Sequence, residues 1–268
     1  MFGKQIHIVY NSRENARITE PLLTHQPHKV YYFTAIIRET GQKDVNLLYF
    51  EENCKLLEQK LPNLEIIHEE LDYTNYIEII QELSKIIKKE RESNPKSEIY
   101  INVSSGSKIT AVASVEAAKL WDCNIYYVYS TEYNPSAEGP EHKGEMIIKT
   151  PTTFPIKKPE EMYIKILQLI EKMIRDRYKG KKYDKSKPQF IYKKNLISKL
   201  FDIKLITLQK KNKNERKLQA SKYMKSQKYL NPLKRELGYI KISKDKRNKK
   251  VFLTDLGRDI LEIFKYTI

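Results

Sequence analysis

The stretch INVSSGSKIT, residues 101–110, decides how this chain folds. A run of β-branched residues ends at Asn102, and three serines, one glycine and one lysine follow within the next six positions. The next run, 107–120, is rich in alanine, which is typical of a helix packed closely on a sheet. A buried strand that ends in a polar turn and leads into a helix predicts a βα unit of an α/β fold.

Strand-like and helix-like segments alternate on both sides of this unit. Short runs rich in β-branched and aromatic residues occur at 5–10, 29–34, 64–69, 98–103 and 125–130. Between them apolar residues recur three to four positions apart, as in amphipathic helices. This order predicts right-handed βαβ units around a mostly parallel sheet.

The ends of these elements can also be read from the sequence. Asp44 and Thr74 are the expected N-caps of two of the helices. A last strand at 144–150 follows 125–130 with only a loop between them, so we expect that final pair to be antiparallel.

A proline-rich segment, PTTFPIKKPEE at 151–161, separates two halves of opposite charge. Residues 1–155 carry 17 Lys+Arg and 22 Asp+Glu, whereas residues 156–268 carry 33 Lys+Arg and 12 Asp+Glu. We therefore predict an N-terminal domain at 1–150, a linker at 151–159, and a C-terminal domain at 160–268 that includes a helix beginning near 160. The cationic second half indicates a polyanionic partner.

The composition excludes several classes of protein. No apolar run reaches the roughly 18 residues needed to cross a bilayer, and Cys54 and Cys123 are too few for a disulfide framework. We expect a soluble cytoplasmic protein with no membrane association. His25 and His28 have no cysteine or carboxylate cluster beside them, so we predict no metal site. Nor does the sequence indicate a cofactor.

The end of the chain has the order of a winged helix-turn-helix. Gly238 closes a helix, 239–243 and 250–254 are short strands joined by the basic turn KDKRNK at 244–249, and Thr254 begins a last helix. The sequence VFLTDLGRDIL resembles the end of many bacterial and archaeal winged helices. In such domains a recognition helix enters the major groove and the wing contacts phosphates.

We place the recognition helix within 215–237, with a bend or restart at Asn231-Pro232. Any single lysine of this helix is as compatible with a solvated surface as with a DNA contact. The prediction of DNA binding therefore rests on the cluster of basic residues in the helix together with the attached wing. The candidate DNA contacts are Arg216, Lys217, Lys222, Lys225, Ser226 and Lys228 in the helix, and Lys246, Arg247, Lys249 and Lys250 at the wing.

The SSGSK turn has the parts of an anion-binding loop. It lies after the carboxyl end of a strand and at the start of a helix, where backbone N–H groups and the helix dipole favour negative charge. A second polar loop, containing Asn11, Ser12 and Arg13, follows strand 5–10. In a parallel sheet the two loops can lie side by side at the same edge and form a ligand crevice.

Other interpretations of the turn are weaker. It is not a Walker A loop, because the first glycine is missing and Ile109 replaces the Mg²⁺-binding hydroxyl. Ser105 and Lys108 match the S-x-x-K motif of serine acyl-enzymes, but no S-D-N or K-T-G accompanies them. A serine-rich helix cap without a ligand stays open as an alternative.

With N-x-S-x-G-x-K after its fourth strand and a winged helix downstream, the chain resembles the CARF (CRISPR-associated Rossmann fold) transcriptional regulators. The resemblance implies a Rossmann-like, homodimeric ligand-sensing domain that binds cyclic oligoadenylate, in particular cyclic tetra-adenylate, across its two-fold axis, and winged helices that bind double-stranded DNA. It implies a ligand site made of Asn11, Ser12, Arg13, Asn102, Ser104 and Lys108, to which the anion-binding turn adds Ser105, Gly106 and Ser107.

Two alternatives to such a regulator remain at this stage. One is a ring nuclease that cleaves cyclic oligoadenylate slowly without a metal ion, with Ser105 and Lys108 stabilising the transition state. The other is a DNA- or RNA-binding protein whose N-terminal domain only dimerises.

Overall fold

The computed structural model describes residues 3–136, 138–152, 158–180, 188–208, 215–245 and 247–264. The chain divides into two compact units, one extending to Lys158 and the other beginning at Pro159. Each unit has its own hydrophobic core. Among the helices that those residues form, none is long and apolar enough to cross a membrane.

The first unit alternates strands and helices in the predicted order. Its strands are β1 (Gln5–Tyr10), β2 (Lys29–Ile37), β3 (Gln42–Lys43), β4 (Glu65–Leu71), β5 (Glu98–Asn102), β6 (Asn124–Tyr133) and β7 (His142–Lys149). Its helices are α1 (Asn15–His25), α2 (Leu47–Lys60), α3 (Tyr76–Ser93) and α4 (Lys108–Trp121).

These strands form one sheet in the order β3-β2-β1-β5-β6-β7, and β4 also pairs with β2. The strands β4, β2, β1, β5 and β6 are parallel to one another. The last strand, β7, is antiparallel to β6, as the short connection predicts. The sequence did not predict β3, which pairs with the end of β2, because two exposed polar residues carry no strand periodicity. The mixed, mostly parallel α/β class is confirmed.

Helices cover both faces of this sheet. Residues of α1 and α2 pack against Val9 of β1 and Tyr32 of β2, which are fully buried. The next residue of β1, Tyr10, points to the opposite face, where its hydroxyl lies 2.6 Å from Ser114 Oγ of α4. Ala113 of α4 is fully buried as well, so the alanine-rich helix lies close to the sheet, as predicted.

The two predicted N-caps are wrong by one or two residues. The N-cap of α2 is Asn46 and that of α3 is Asn75. Asp44 and Thr74 belong to the turns that precede these helices: Asp44 accepts the backbone N–H of Asn46, and Thr74 donates its hydroxyl to Asp72. A short polar side chain can bond a backbone N–H in a turn as well as at a cap, so sequence alone does not separate the two.

The second unit has the element order of a winged helix. Its elements are α5 (Glu161–Tyr178), β8 (Ile191–Tyr192), α6 (Lys193–Asp202), α7 (Glu215–Arg235), β9 (Ile240–Ile242), β10 (Lys250–Leu253) and α8 (Asp255–Phe264). The three strands form an antiparallel sheet in the order β8-β10-β9. The sequence predicted α5, α7, the β9–β10 hairpin and α8, but not β8 or α6.

Local signals at the ends of these elements are mostly confirmed. Gly238 follows α7 with a φ of 67°, a conformation that favours glycine. Thr254 accepts the N–H of Gly257 at 3.0 Å and so caps α8. Of the bend or restart predicted at Asn231-Pro232, the restart is wrong, because α7 continues through Pro232 to Arg235, and the bend stays a prediction.

His7 gives the fold a pH-dependent contribution to stability. Its ring is fully buried in β1. Burial, together with the nearby His25, lowers the pKa of His7 from 6.5 to about 3. The folded chain therefore keeps His7 neutral, while the unfolded chain binds a proton below pH 6.5. As a result, the free energy of unfolding falls as the pH drops from 6.5 towards 3.

We expect His7→Phe to remove this dependence. When the pH drops from about 8 to about 5, the free energy of unfolding should fall by about 2 kcal/mol less in the variant than in the wild type. Urea denaturation at both pH values measures the difference. Tyr126→Phe removes the partner of His7 Nδ1, 3.2 Å away, but leaves the imidazole buried, so it should keep the wild-type dependence. Equal pH dependence in the wild type and His7→Phe would contradict this assignment.

Candidate functional site: a polar cleft and a basic winged helix

A cleft of about 260 Å³ lies at the carboxyl edge of the sheet in the first unit. Asn11 and Ser12, which follow β1, line it together with Gly106 and Ser107, which follow β5. These two strands are adjacent and parallel, so their following loops meet at one edge. The structure therefore brings together the two loops that the sequence predicts to converge. This ligand cleft also includes Asp44 from the β3–α2 connection.

Asn11 holds the first loop in place. It is 2% exposed, and its Nδ2 donates to Asp44 Oδ2 and to the backbone oxygen of Asn46, each at 2.9 Å. The Tyr32 hydroxyl donates to Asn11 Oδ1 at 3.3 Å. The amide is thus used within the fold, and its role as a direct ligand contact stays a prediction.

Asn102 plays the same part in the second loop. Its side chain is fully buried; Nδ2 donates to the backbone oxygen of Arg17 at 3.0 Å, and Oδ1 accepts the N–H of Ser104 at 2.8 Å. Ser104 Oγ accepts the N–H of Val128 in β6 at 2.6 Å. These side chains shape the turn and tie it to the sheet, which places them beneath the ligand cleft and not on its surface.

Ser105 also points inward. It is 5% exposed, and its hydroxyl donates to the backbone oxygen of Tyr10 at 2.7 Å. In this position the Ser105 hydroxyl is used within the fold. Of the two residues named for the ring nuclease, Ser105 is therefore buried and Lys108 is exposed.

The residues that begin α4 are the accessible part of this loop. Ser107 is the N-cap: its Oγ accepts the N–H of Thr110 at 3.1 Å and donates to the backbone oxygen of Tyr73 at 2.8 Å. Lys108 is the first residue of α4 and is exposed. Among the described residues, no ion pair involves Lys108. Its ammonium group is therefore available beside a helix N-terminus that favours anions.

The remaining residues of the first loop differ from one another. Ser12 lines the ligand cleft, and its Oγ accepts the N–H of Glu14 at 3.2 Å. Arg13 forms an ion pair with Glu141 at the start of β7, so its charge is partly neutralised. Sequence reasoning missed Asp44 as a member of this site, because its role depends on contact with Asn11, 33 positions away.

In the second unit, the candidate cations lie on α7 and the wing. Arg216, Lys217 and Lys228 are exposed on α7, and Lys222 and Lys225 are half-buried. Ser226 is fully buried and its hydroxyl donates to the backbone oxygen of Lys222 at 2.8 Å, so we remove it from the DNA-contacting set.

At the wing, Arg247 is exposed and Lys249 and Lys250 are half-buried. The ammonium of Lys250 lies 4.9 Å from the centre of the Phe190 ring. Lys246 lies outside the described residues.

The fold and these surfaces define a two-unit protein that joins a Rossmann-like domain to a winged helix domain. Two family models match it: residues 5–133 match the model described as HFX_2341_N-like, N-terminal, and residues 164–265 match the DUF6293 C-terminal winged helix domain. The second match agrees with the element order of a winged helix in that half of the chain.

One curated relative and two solved structures illustrate the likeness. The uncharacterized protein MJ1513 of Methanocaldococcus jannaschii is 32% identical over 117 residues, which are 43% of this chain and 33% of that protein. Csm6 of Enterococcus italicus, solved with cyclic hexa-2'-fluoro-hexa-dAMP, has a TM-score of 0.40 at 13% identity over 48% of this chain and 33% of its own. Can2 of Sulfobacillus thermosulfidooxidans, solved with cyclic tetra-adenylate, has a TM-score of 0.38 at 14% identity over 93% of this chain and 76% of its own.

Gly106 allows the second loop to take its shape. Its φ is 83°, and a Cβ there would lie 2.6 Å from Thr110 Oγ1 and 2.8 Å from Tyr10 Cβ. We expect Gly106→Ala to lower the free energy of unfolding by about 2 kcal/mol or more, since the left-handed conformation alone costs an L residue roughly 1–2 kcal/mol.

Gly41→Ala is the matched control for this substitution. Gly41 has a φ of 70°, but no atom lies within 4 Å of its Cβ position. The Gly41→Ala variant therefore has the cost of the left-handed conformation without any close contact. Chemical denaturation of both variants measures the two losses. Equal losses of unfolding free energy in the two variants would show that the close approach of Tyr10 and Thr110 to Gly106 does not affect stability.

Proposed function

We propose that this protein is a ligand-responsive DNA-binding transcriptional regulator. Its first unit binds a cyclic oligoadenylate, with cyclic tetra-adenylate as the expected ring, between two copies of the chain, and its winged helix binds double-stranded DNA. The observation that carries the proposal is the convergence of Ser12 with Gly106 and Ser107 in one cleft, beside the exposed Lys108.

The size of the ligand cleft favours a site shared by two copies. At about 260 Å³ it lies below the range of about 300–1,000 Å³ that is usual for small-molecule sites. A ring of four phosphodiesters has two-fold symmetry and carries four negative charges. Two clefts related by a two-fold axis would each provide a helix N-terminus and one Lys108.

Exposed apolar side chains beside the ligand cleft support the same arrangement. Val45, just before α2, and Leu48, in its first turn, are 82% and 65% exposed. Ile109 and Val112, in the first turns of α4, are 41% and 55% exposed. Val45 itself lines the cleft. Exposed apolar side chains on neighbouring elements are typical of a protein interface, and a second copy of the chain is the partner that the ring symmetry requires.

Lys108 provides the test of ligand binding. We expect isothermal titration calorimetry to show one cyclic tetra-adenylate bound per two chains, and Lys108→Ala to weaken binding by at least about tenfold, because each charge-assisted contact contributes roughly 1.5–3 kcal/mol. Lys119→Ala is the matched control, since Lys119 lies at the other end of α4 in an ion pair with Glu116. No heat with the wild type, or equal affinity in Lys108→Ala, would rule out the proposed site.

The same samples test the alternative of a ring nuclease. Because Ser105 is held by the backbone of Tyr10, we expect cyclic tetra-adenylate to be recovered intact after hours with the protein. Linear products in the wild type that disappear in Ser105→Ala would establish the nuclease instead.

Salt dependence provides the test of DNA binding. We expect Lys225→Ala, Lys228→Ala and Arg247→Ala each to weaken binding to a mixed-sequence duplex and to reduce the slope of log K against log salt by about 0.9. Fluorescence anisotropy over a series of salt concentrations measures both. Lys172→Ala, an exposed lysine of α5, is the control and should leave the slope unchanged. If the three variants behave like Lys172→Ala, α7 and the wing do not form the DNA surface.

A further inference from the structure

The winged helix unit contains a basic cavity that sequence reasoning did not predict. It has a volume of about 330 Å³ and lies between the start of α6, the middle of α7 and the wing. The basic residues that line it are Lys193, Lys194, Lys222, Arg247 and Lys249. Among the described residues around this basic cavity, none of the lining residues is acidic.

Lys193 is the unusual member of this group. It is only 6% exposed, yet among the residues that the structure describes no carboxylate lies within salt-bridge distance of it. Its Nζ donates to the Tyr223 hydroxyl at 3.2 Å and to Gln227 Oε1 at 3.1 Å, and it lies 4.6 Å from the centre of the Tyr223 ring. A buried ammonium whose partners are neutral is stabilised by any anion that enters the cavity.

Tyr223 reports the same electrostatic environment. The hydrogen bond from Lys193 lowers the pKa of the Tyr223 phenol, and the charges of Lys193 and Lys249 act in the same direction. Lys193 and Lys249 therefore both act on a phenol that lines the basic cavity.

The walls also offer apolar surface of a kind that suits a flat ring. Tyr192 and Tyr223 line the basic cavity, Ile197 lies with them, and the Tyr223 side chain is 41% exposed. Nucleobases stack on tyrosine rings regardless of their identity. A ring next to an anion site is the combination that a nucleotide needs.

We propose that the basic cavity binds a free nucleotide of about mononucleotide size, with its phosphate at Lys193 and its base against Tyr223. The volume lies at the lower end of the range of about 300–1,000 Å³ for small-molecule sites. A duplex is a poorer occupant, because backbone phosphates lie on the outside of a rod and are reached by exposed, flexible cations, whereas Lys193 is buried.

One consequence rests on the proposed DNA binding. Lys222, Arg247 and Lys249 line the basic cavity and also belong to the proposed DNA-contacting set. A bound nucleotide neutralises these cations and blocks their contact with phosphates of DNA, so nucleotide and duplex compete.

The test uses adenosine 5′-monophosphate as the probe and the full chain with Lys108→Ala, so that the ligand cleft in the first unit does not contribute. Calorimetry should show one nucleotide per chain, and adenosine without phosphate should bind at least about tenfold more weakly. Adding Lys193→Met should weaken nucleotide binding by about tenfold or more. Lys241→Met is the control, because Lys241 is exposed on β9 and does not line the basic cavity, and it should leave the affinity unchanged.

A second variant tests the proposal independently if Lys193→Met does not fold. Tyr223→Leu, at an exposed position of α7, should weaken binding of the nucleotide but not of inorganic phosphate. No binding of the probe at millimolar concentration, or equal binding by all variants, overturns the proposal. Loss of duplex binding in Lys193→Met without any binding of the probe also overturns it, in favour of a DNA phosphate. If the wild-type chain binds neither cyclic tetra-adenylate nor duplex while the nucleotide still binds, the inference stands and the proposed regulator is refuted.

Discussion

The buried amide groups of Asn11 and Asn102 are the constraint on which the ligand cleft depends. Asn11 joins the loop after β1 to the β3–α2 connection, and Asn102 joins the loop after β5 to α1. Both side chains are almost fully buried, so an unmade hydrogen bond there would leave a polar group without water. A fully satisfied buried network of this kind fixes a single loop conformation, and the half-buried Ser107 and the exposed Lys108 take their positions from it.

The difference between side chains that hold the loops and side chains that face the ligand cleft shows how far the sequence could predict the site. The position of the loops follows from strand order, so the convergence of 11–13 with 104–108 was predictable from parallel βαβ units. The direction of each side chain was not. Ser105 and Ser107 are the same residue type two positions apart, yet one bonds the backbone of Tyr10 and the other caps α4. That difference depends on the left-handed turn at Gly106 and on contacts with residues far along the chain.

The same reasoning explains what was predicted in the winged helix and what was not. The glycine stop, the threonine cap and the basic hairpin are local signals, and they marked the β9–β10 hairpin and α8 correctly. In contrast, β8 has two residues and exists because Ile191 and Tyr192 pair with β10, about sixty positions later. Without β8, the start of α6 and its Lys193 could not be placed beside the wing, where the backbone oxygen of Lys249 accepts the Lys193 N–H.

The two halves of the chain carry opposite net charges, so the proposed sites in them would attract an anion in different ways. Residues 156–268 have a large excess of cations, so any polyanion is attracted to them over a long range, and individual lysines add affinity without being placed accurately. Residues 1–155 have more acidic than basic residues, and their overall field opposes an anionic ligand. The proposed anion site therefore relies on short-range contacts: the N-terminus of α4, the Ser107 backbone and the exposed Lys108. For this reason a single lysine matters more in the acidic half, although it holds fewer of them.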